Sequence, residues 1–112
     1  MKKATIEFNV EGFPLPLILS PKHHRYPLAR KLQKTAKSVM QGKLLLKGDL
    51  TLEVEQEIGR GDRRTDVANL IGGIANTLEG IIYINDNQIK EVHYKQTPSD
   101  RDAYKVKIRE QR

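Results

Sequence analysis

The apolar residues of this chain change period twice before its midpoint, and that switching dictates which elements it can form. From Ala4 to Val10 they alternate, with Ile6, Phe8 and Val10 set against Thr5, Glu7 and Asn9, the pattern of a strand with one face buried. Leu28, Leu32, Ala36, Val39 and Met40 then recur at helical spacing, with Pro27 suited to a first turn and Gly42 to a stop, which predicts a helix. Leu50, Leu52 and Val54 alternate with Thr51, Glu53 and Glu55, predicting a second strand that runs to Ile58. A second helix is expected from Thr65 or Asp66 through Val67, Leu70, Ile71, Ile74, Ala75 and Leu78 to a stop at Gly80. Ile81 to Ile84 reads as a short apolar strand, Asn85-Asp86-Asn87 as a turn, and Ile89 to Gln96 and Ala103 to Ile108 as two further strands.

This order implies an α+β fold: a single compact domain over residues 1–112, with a mixed β-sheet and two helices packed on it. The length of 112 residues suits one modest core and no second independent fold. Gly12, Pro14, Pro16 and Pro21 exclude a helix after the first strand and require a long loop, stiff in places. Exposed sheet edges or an uncovered sheet face would invite a homodimer.

The chain contains no cysteine, which excludes disulfides, zinc-thiolate sites and thiol nucleophiles and is compatible with a reducing compartment. Met1-Lys2-Lys3-Ala4 runs straight into the first strand without the apolar block of a signal peptide. No apolar run approaches the roughly 20 residues that span a bilayer. The expected location is the cytoplasm, away from membranes.

The formal charge is +6 and unevenly spread. Between Gly12 and Gly48 there are eight basic residues, Lys22, Arg25, Arg30, Lys31, Lys34, Lys37, Lys43 and Lys47, and no acid. On the first helix, Arg30, Lys31, Lys34 and Lys37 fall opposite Leu28, Leu32 and Val39, making a stripe along which a phosphate backbone could lie. Basic residues on an amphipathic helix are commonly just its solvated face. A face selected for solubility alone usually mixes signs, however, and this one does not. Tyr26 could stack on a base but is read as a packing residue, and His23 and His24 suit phosphate contact or solvent better than metal ligation.

Three carboxylates have spacings that let them converge. Asp66 would open the second helix, where Asp66, Asn69, Gly73 and Asn76 share a face with little bulk. Asp62 lies one turn earlier in the loop, and Asp86 sits in the turn after the strand that the helix feeds. Hard divalent cations such as Mg²⁺ take carboxylate oxygens, water and substrate phosphate, the arrangement that phosphodiester hydrolysis needs. Each residue also has a purely structural reading: Asp66 as a helix N-cap stabilising by about 1 kcal/mol, Asp86 as a turn residue, and Asp62 as a partner for Arg63 or Arg64.

The segment Asp62-Arg63-Arg64-Thr65-Asp66-Val67-Ala68-Asn69-Leu70, followed by Gly80-Ile81-Ile82-Tyr83-Ile84-Asn85-Asp86-Asn87-Gln88-Ile89, resembles the RusA-type Holliday junction resolvases. That family shows an arginine-rich loop, Asp-x-Asp-Asn-Leu at a helix start, and an apolar strand ending in Asp-Asp-x-Gln-Val/Ile. The resemblance covers Leu50 to Tyr94 well. Before that it is loose, with His24-Arg25-Tyr26 standing where the family has Asn-Arg-Tyr at the end of a proline-rich segment. By position Asp66 matches the first catalytic aspartate and Asp86 the last, Asn69 matches the motif asparagine, and Asn85 stands where the family often has another acid. Ala68 replaces the second aspartate and Gly72 replaces a lysine that the family uses at the site. Asp62 is the nearest substitute carboxylate and Glu57 the next.

What the resemblance implies is a homodimeric structure-specific endonuclease. It would resolve Holliday junctions and related branched double-stranded DNA in recombination and repair, with Mg²⁺ as cofactor and Mn²⁺ as a possible substitute. Asp66, Asp86 and Asp62 would form the catalytic metal site, and Arg25, Arg30, Lys31, Lys34, Lys37, Arg60, Arg63, Arg64 and Asn69 would contact DNA. Such a compact resolvase suits a nucleoid-associated or phage-encoded protein. The alternatives are a non-catalytic binder of branched DNA with the same fold, favoured by Ala68 and Gly72, and a small basic RNA-associated protein.

Overall fold

Both helices and four of the expected strands form. The computed structural model describes residues 4–12, 26–59 and 67–111. In chain order the elements are β1 (Thr5–Glu11), α1 (Tyr26–Met40), β2 (Leu50–Ile58), α2 (Val67–Leu78), a 3₁₀ turn at Asp86–Gln88, β3 (Ile89–Pro98) and β4 (Ala103–Glu110). The strands make one four-stranded sheet in the order β1-β4-β2-β3. β4 runs antiparallel to both β1 and β2, whereas β3 is parallel to β2, so the sheet is mixed as expected. Parallel neighbours need a crossover rather than a hairpin. α2 and the 3₁₀ turn supply it.

Period-two alternation places matching side chains in rows across the sheet. Phe8 pairs with Val106, Val106 with Val54 and Val54 with Tyr94, while Ile6, Ile108, Leu52 and Val92 make the next row. These rows face α1 and α2. Leu32, Ala36 and Met40 of α1 and Ile74 and Leu78 of α2 close over them in one apolar core. Burying such a side chain is worth about 1.5–3 kcal/mol each. The cover runs out at β3, where Val92 is 44% exposed.

The other face of the sheet is polar and pairs its own charges. Lys105 meets Glu7 at 3.4 Å, Arg109 meets Glu53 at 3.1 Å, and Arg101 meets Glu57 at 3.4 Å. Three of its acids thus have a base on an adjacent strand or connection, and acids and bases are interspersed across the face, so it is solvated without a strong field of either sign.

Both helix stops behave as their glycines predict. Gly42 and Gly80 adopt φ of 78° and 81°, a left-handed backbone that glycine takes without a Cβ clash. Ile81 to Ile84 departs from expectation, because this run is a turn and adds no strand to the sheet. The amides of Ile81 and Ile82 both donate to the Leu78 carbonyl and that of Gly80 donates to Tyr83, folding the run back under the end of α2. Ile82 and Tyr83 are both fully buried, and Tyr83 makes only isolated bridges, to Leu46 and Glu79, rather than a ladder with the sheet. The Tyr83 hydroxyl donates to the Ala75 carbonyl. A second correction concerns α2, where Gly73, on the face expected to be polar, is buried, while Asn76 on the same face is exposed.

Between β3 and β4 the chain arches over the end of β2. Ser99 donates its amide to the Ile58 carbonyl, and the Gly59 amide donates to Asp102 Oδ1 at 2.8 Å. A Cβ at Gly59 would stand 3.0 Å from the Arg101 carbonyl carbon, so only glycine lets the arch pass this closely. The arch fixes the point at which β2 ends.

Candidate active site and nucleic-acid interface

α1 separates its faces cleanly because its apolar residues recur every three to four positions. Leu32, Ala36 and Met40 are buried, while Arg30, Lys31, Lys34 and Lys37 are exposed. No acid occurs on α1, and none of the described acids pairs with Lys31, Lys34 or Lys37. Lys43 and Lys47, in the connector to β2, are also exposed. The helix layer is thus the strongly positive side of the described molecule, opposite the self-neutralised outer face of the sheet. A row of cationic groups along one helix is suited to phosphate oxygens, because each phosphate neutralised releases counterions from a polyanion.

Asp86 opens the 3₁₀ turn, and its surroundings are built to hold the backbone still. Asn85 caps the turn, its Oδ1 accepting from the Asn87 amide at 2.9 Å. Gln88 completes a capping box: its Oε1 accepts from the amides of Ile84 and Asn85, each at 3.0 Å. The same amide group donates from Nε2 to the carbonyls of Leu46 at 3.2 Å and Gly48 at 3.0 Å, tying the turn to the α1–β2 connector. The Asp86 amide donates to Glu79 Oε2 at 2.8 Å. Asp86 remains exposed, and its carboxylate has no hydrogen-bonding or ionic partner among the described residues. A fixed backbone carrying an unclaimed carboxylate fits the requirement for a hard-cation ligand.

Glu79 gives no signal in the sequence, where it reads as a surface residue before the glycine that ends a helix. Only the back-folded turn brings it to Asp86. Beneath both carboxylates, burial pushes the Tyr83 phenol well above its usual pKa, and the negative charges of Asp86 and Glu79 push it further. Tyr83 therefore stays protonated and keeps donating to α2. Asn85, which stands at the position of an extra acid in the resemblance, serves here as the cap.

Asp86 and Glu79 lie at the C-terminal end of α2. Val67, the residue that Asp66 precedes, begins the other end, and the 12 residues between those ends make a helix about 18 Å long. Two carboxylates on one Mg²⁺ stand about 4 Å apart. Asp62, Asp66, Arg25, Arg60, Arg63, Arg64, His23 and His24 lie outside the described residues. Ala68 and Asn69 occupy the first turn of α2, and Gly72 follows in its second. Among the described residues no three His, Asp or Glu side chains converge on a cation position.

Glu57, the second candidate substitute ligand, is placed elsewhere. It faces the outer side of the sheet, where Arg101 lies at 3.4 Å and Ser99 Oγ donates to it at 3.2 Å. It lines a cleft with Glu55, Thr97 and Lys105, on the side away from the helices. Its oxygens already have partners there.

No helix of the structure is long and apolar enough to cross a membrane. No curated protein matches the chain significantly. Compared with known protein families, residues 20–109 match the one described as Endodeoxyribonuclease RusA, which takes in most of the chain.

Proposed function

The chain belongs to the RusA endodeoxyribonuclease family, and we propose that it is a Mg²⁺-dependent nuclease that nicks branched DNA, Holliday junctions above all, as a homodimer in recombination and repair. The observation that carries this reading is Asp86: an acid held by bonds to its backbone, with its carboxylate unclaimed, at the edge of the positive helix layer. Asp66 and Asp86 hold the cation, Asp62 supplies the oxygen that Ala68 lacks, and Mn²⁺ substitutes for Mg²⁺. The ion's contribution is to polarise the scissile phosphate and activate a water. Glu79 and Gln88 are positioning residues, keeping the Asp86 backbone fixed. Arg30, Lys31, Lys34 and Lys37, together with Arg25, Arg60, Arg63, Arg64 and Asn69, bind the phosphate backbone.

The length of α2 bears on how that site is assembled. Asp86 is at one end of the helix and the residue after Asp66 begins the other. A second copy in a two-fold dimer, with its α2 reversed, brings the opposite ends together and makes two equivalent sites from two chains. Paired, symmetric sites suit symmetric nicks across a four-way junction.

The test uses Asp66→Asn and Asp86→Asn on a labelled four-way junction. Each variant alone loses nicking by at least about a hundredfold while binding the junction with an affinity within about threefold of the parent. Mixing the two inactive variants restores roughly a quarter of the sites, since half of the randomly formed dimers are mixed and each of those keeps one intact pair. Full activity in either single variant removes the assignment. A mixture that stays inactive places both carboxylates in the same chain.

A second reading, a junction-binding protein without catalysis, is favoured by Ala68 and Gly72, which lack the groups that the family uses there. Junction binding without Mg²⁺- or Mn²⁺-dependent nicking at any protein excess selects it.

A further inference from the structure

Among the described residues β3 is an edge strand, with β2 as its one neighbour in the sheet. Eight of its ten residues are exposed, on both faces, so nothing among the described residues packs over it. Its apolar row is left unfinished: Leu52 and Val54 are buried on β2, yet their partners Val92 and Tyr94 remain 44% exposed and half-buried. We propose that β3 is the seam of the homodimer, pairing antiparallel with β3 of a second copy about a two-fold axis at His93. This rests on the reading that the protein works as a dimer, and it specifies the surface and register.

The register follows from charge and side-chain type. An axis at His93 sets Glu91 opposite Lys95 and Val92 opposite Tyr94, each pair occurring twice by symmetry. On the outer face that makes two ion pairs, and on the helix face it closes the apolar row. Moving the axis to Tyr94 sets His93 against Lys95, and moving it to Val92 sets Lys95 against Ile89, so neither neighbouring register matches charge as well. The other sheet edge is a worse candidate. The outward-facing residues of β1 are Thr5, Glu7, Asn9 and Glu11, with acids and no base, so self-pairing there gains no ion pair. Cross-strand pairs of this kind contribute modestly but specifically, and like charges directly opposite are destabilising. Lysines on an edge strand also commonly guard against unwanted pairing. A guard residue and a seam residue respond differently to charge reversal.

The same axis has a consequence for the proposed site. α2 crosses between β2 and β3, so it runs against them, and the rotation reverses it. The partner's 3₁₀ turn, which feeds the start of the partner's β3, then arrives beside Thr97. That is the end of the sheet where β2 leaves towards α2 and where Asp66 lies in sequence. One seam thus accounts for both the unfinished apolar row and the meeting of opposite helix ends.

Sedimentation of the full chain, with Glu91→Lys, Lys95→Glu and the double variant carrying both, tests the seam. Each single reversal weakens dimerisation by roughly tenfold, and the double variant returns to within about threefold of the parent because both pairs re-form with opposite sign. Far-UV circular dichroism of each variant checks that the fold is kept; Lys95→Gln and Val92→Thr, milder changes, weaken the dimer in the same direction if either reversal unfolds the chain. Single reversals that leave the dimer unchanged, or a double variant that fails to recover, overturn the seam. A dimer unaffected by any of these changes that still nicks junctions overturns the seam alone. A chain that stays monomeric while nicking overturns both seam and dimer.

Discussion

Gln88 makes four hydrogen bonds with one amide group, and their division sets what its replacement does. Gln88→Ala removes the capping box and both bonds to the α1–β2 connector, for a loss of stability of about 1–2 kcal/mol in urea unfolding. Nicking falls further than stability accounts for, because the turn that carries Asp86 loses its anchor, whereas junction affinity holds. Gln88→Glu keeps the acceptors for Ile84 and Asn85 but faces the carbonyls of Leu46 and Gly48 with negative charge, so it fails to rescue nicking. Recovery in Gln88→Glu would show that the connector bonds are irrelevant. Glu53 gives a pH-dependent case. The hydrogen bond from Arg109 is the largest influence lowering its pKa, with the charges of Lys107, Arg109 and His93 adding to it against some desolvation. A lowered folded pKa means that the unfolded chain takes up the proton first on acidification. The stabilisation is complete above the ordinary carboxylate pKa and disappears as pH falls through the folded value. Glu53→Gln therefore loses less of its urea midpoint than the parent between about pH 6 and about pH 3. Equal losses would remove Glu53 from the acid response.

At the level of elements, α1 is the part whose role separates best from the fold. Lys34→Ala with Lys37→Ala leaves the buried Leu32, Ala36 and Met40 face intact. Its salt dependence of junction binding should be shallower by about two units of log–log slope, roughly one for each lysine that no longer neutralises a phosphate. Lys105→Ala with Lys107→Ala, on the outer sheet face, leaves the slope as it was. A slope unchanged in the α1 variant would mean that phosphates bind elsewhere. Both helices and the four sheet strands are legible in the sequence because apolar periodicity is local: Ile6-Phe8-Val10 and Leu32-Ala36-Met40 each announce their own geometry. Ile81 to Ile84 misleads because a short apolar run looks the same whether it joins a sheet or is buried beneath a helix, and only packing against α2 decides. The burial of Gly73 is hidden for a related reason, since a glycine has no side chain to assign to a face. Asp86 can be found from its motif, whereas Glu79 cannot, because only the turn that follows it brings the two together. Nor does periodicity reveal strand order, so nothing in β4 says that it inserts between β1 and β2.

For the whole molecule, the arrangement that matters is how one chain meets another copy and its DNA. In the proposed two-fold arrangement the length of α2, the unfinished apolar row on β3 and the unclaimed Asp86 carboxylate would all find partners, which is why mixing experiments and charge reversal test one assembly from different sides. The outer sheet face, with Glu7, Glu53 and Glu57 each matched by a base, has a further consequence. Since that side largely cancels its own charge while Lys31, Lys34, Lys37, Lys43 and Lys47 stand together on the helix side, the charge of the described residues is unevenly placed and gives them a dipole. A diffusing polyanion then exerts a torque as well as an attraction, turning the helix layer towards it before they touch. Productive encounters become a larger share of collisions, and added salt slows capture of the junction more than it speeds release.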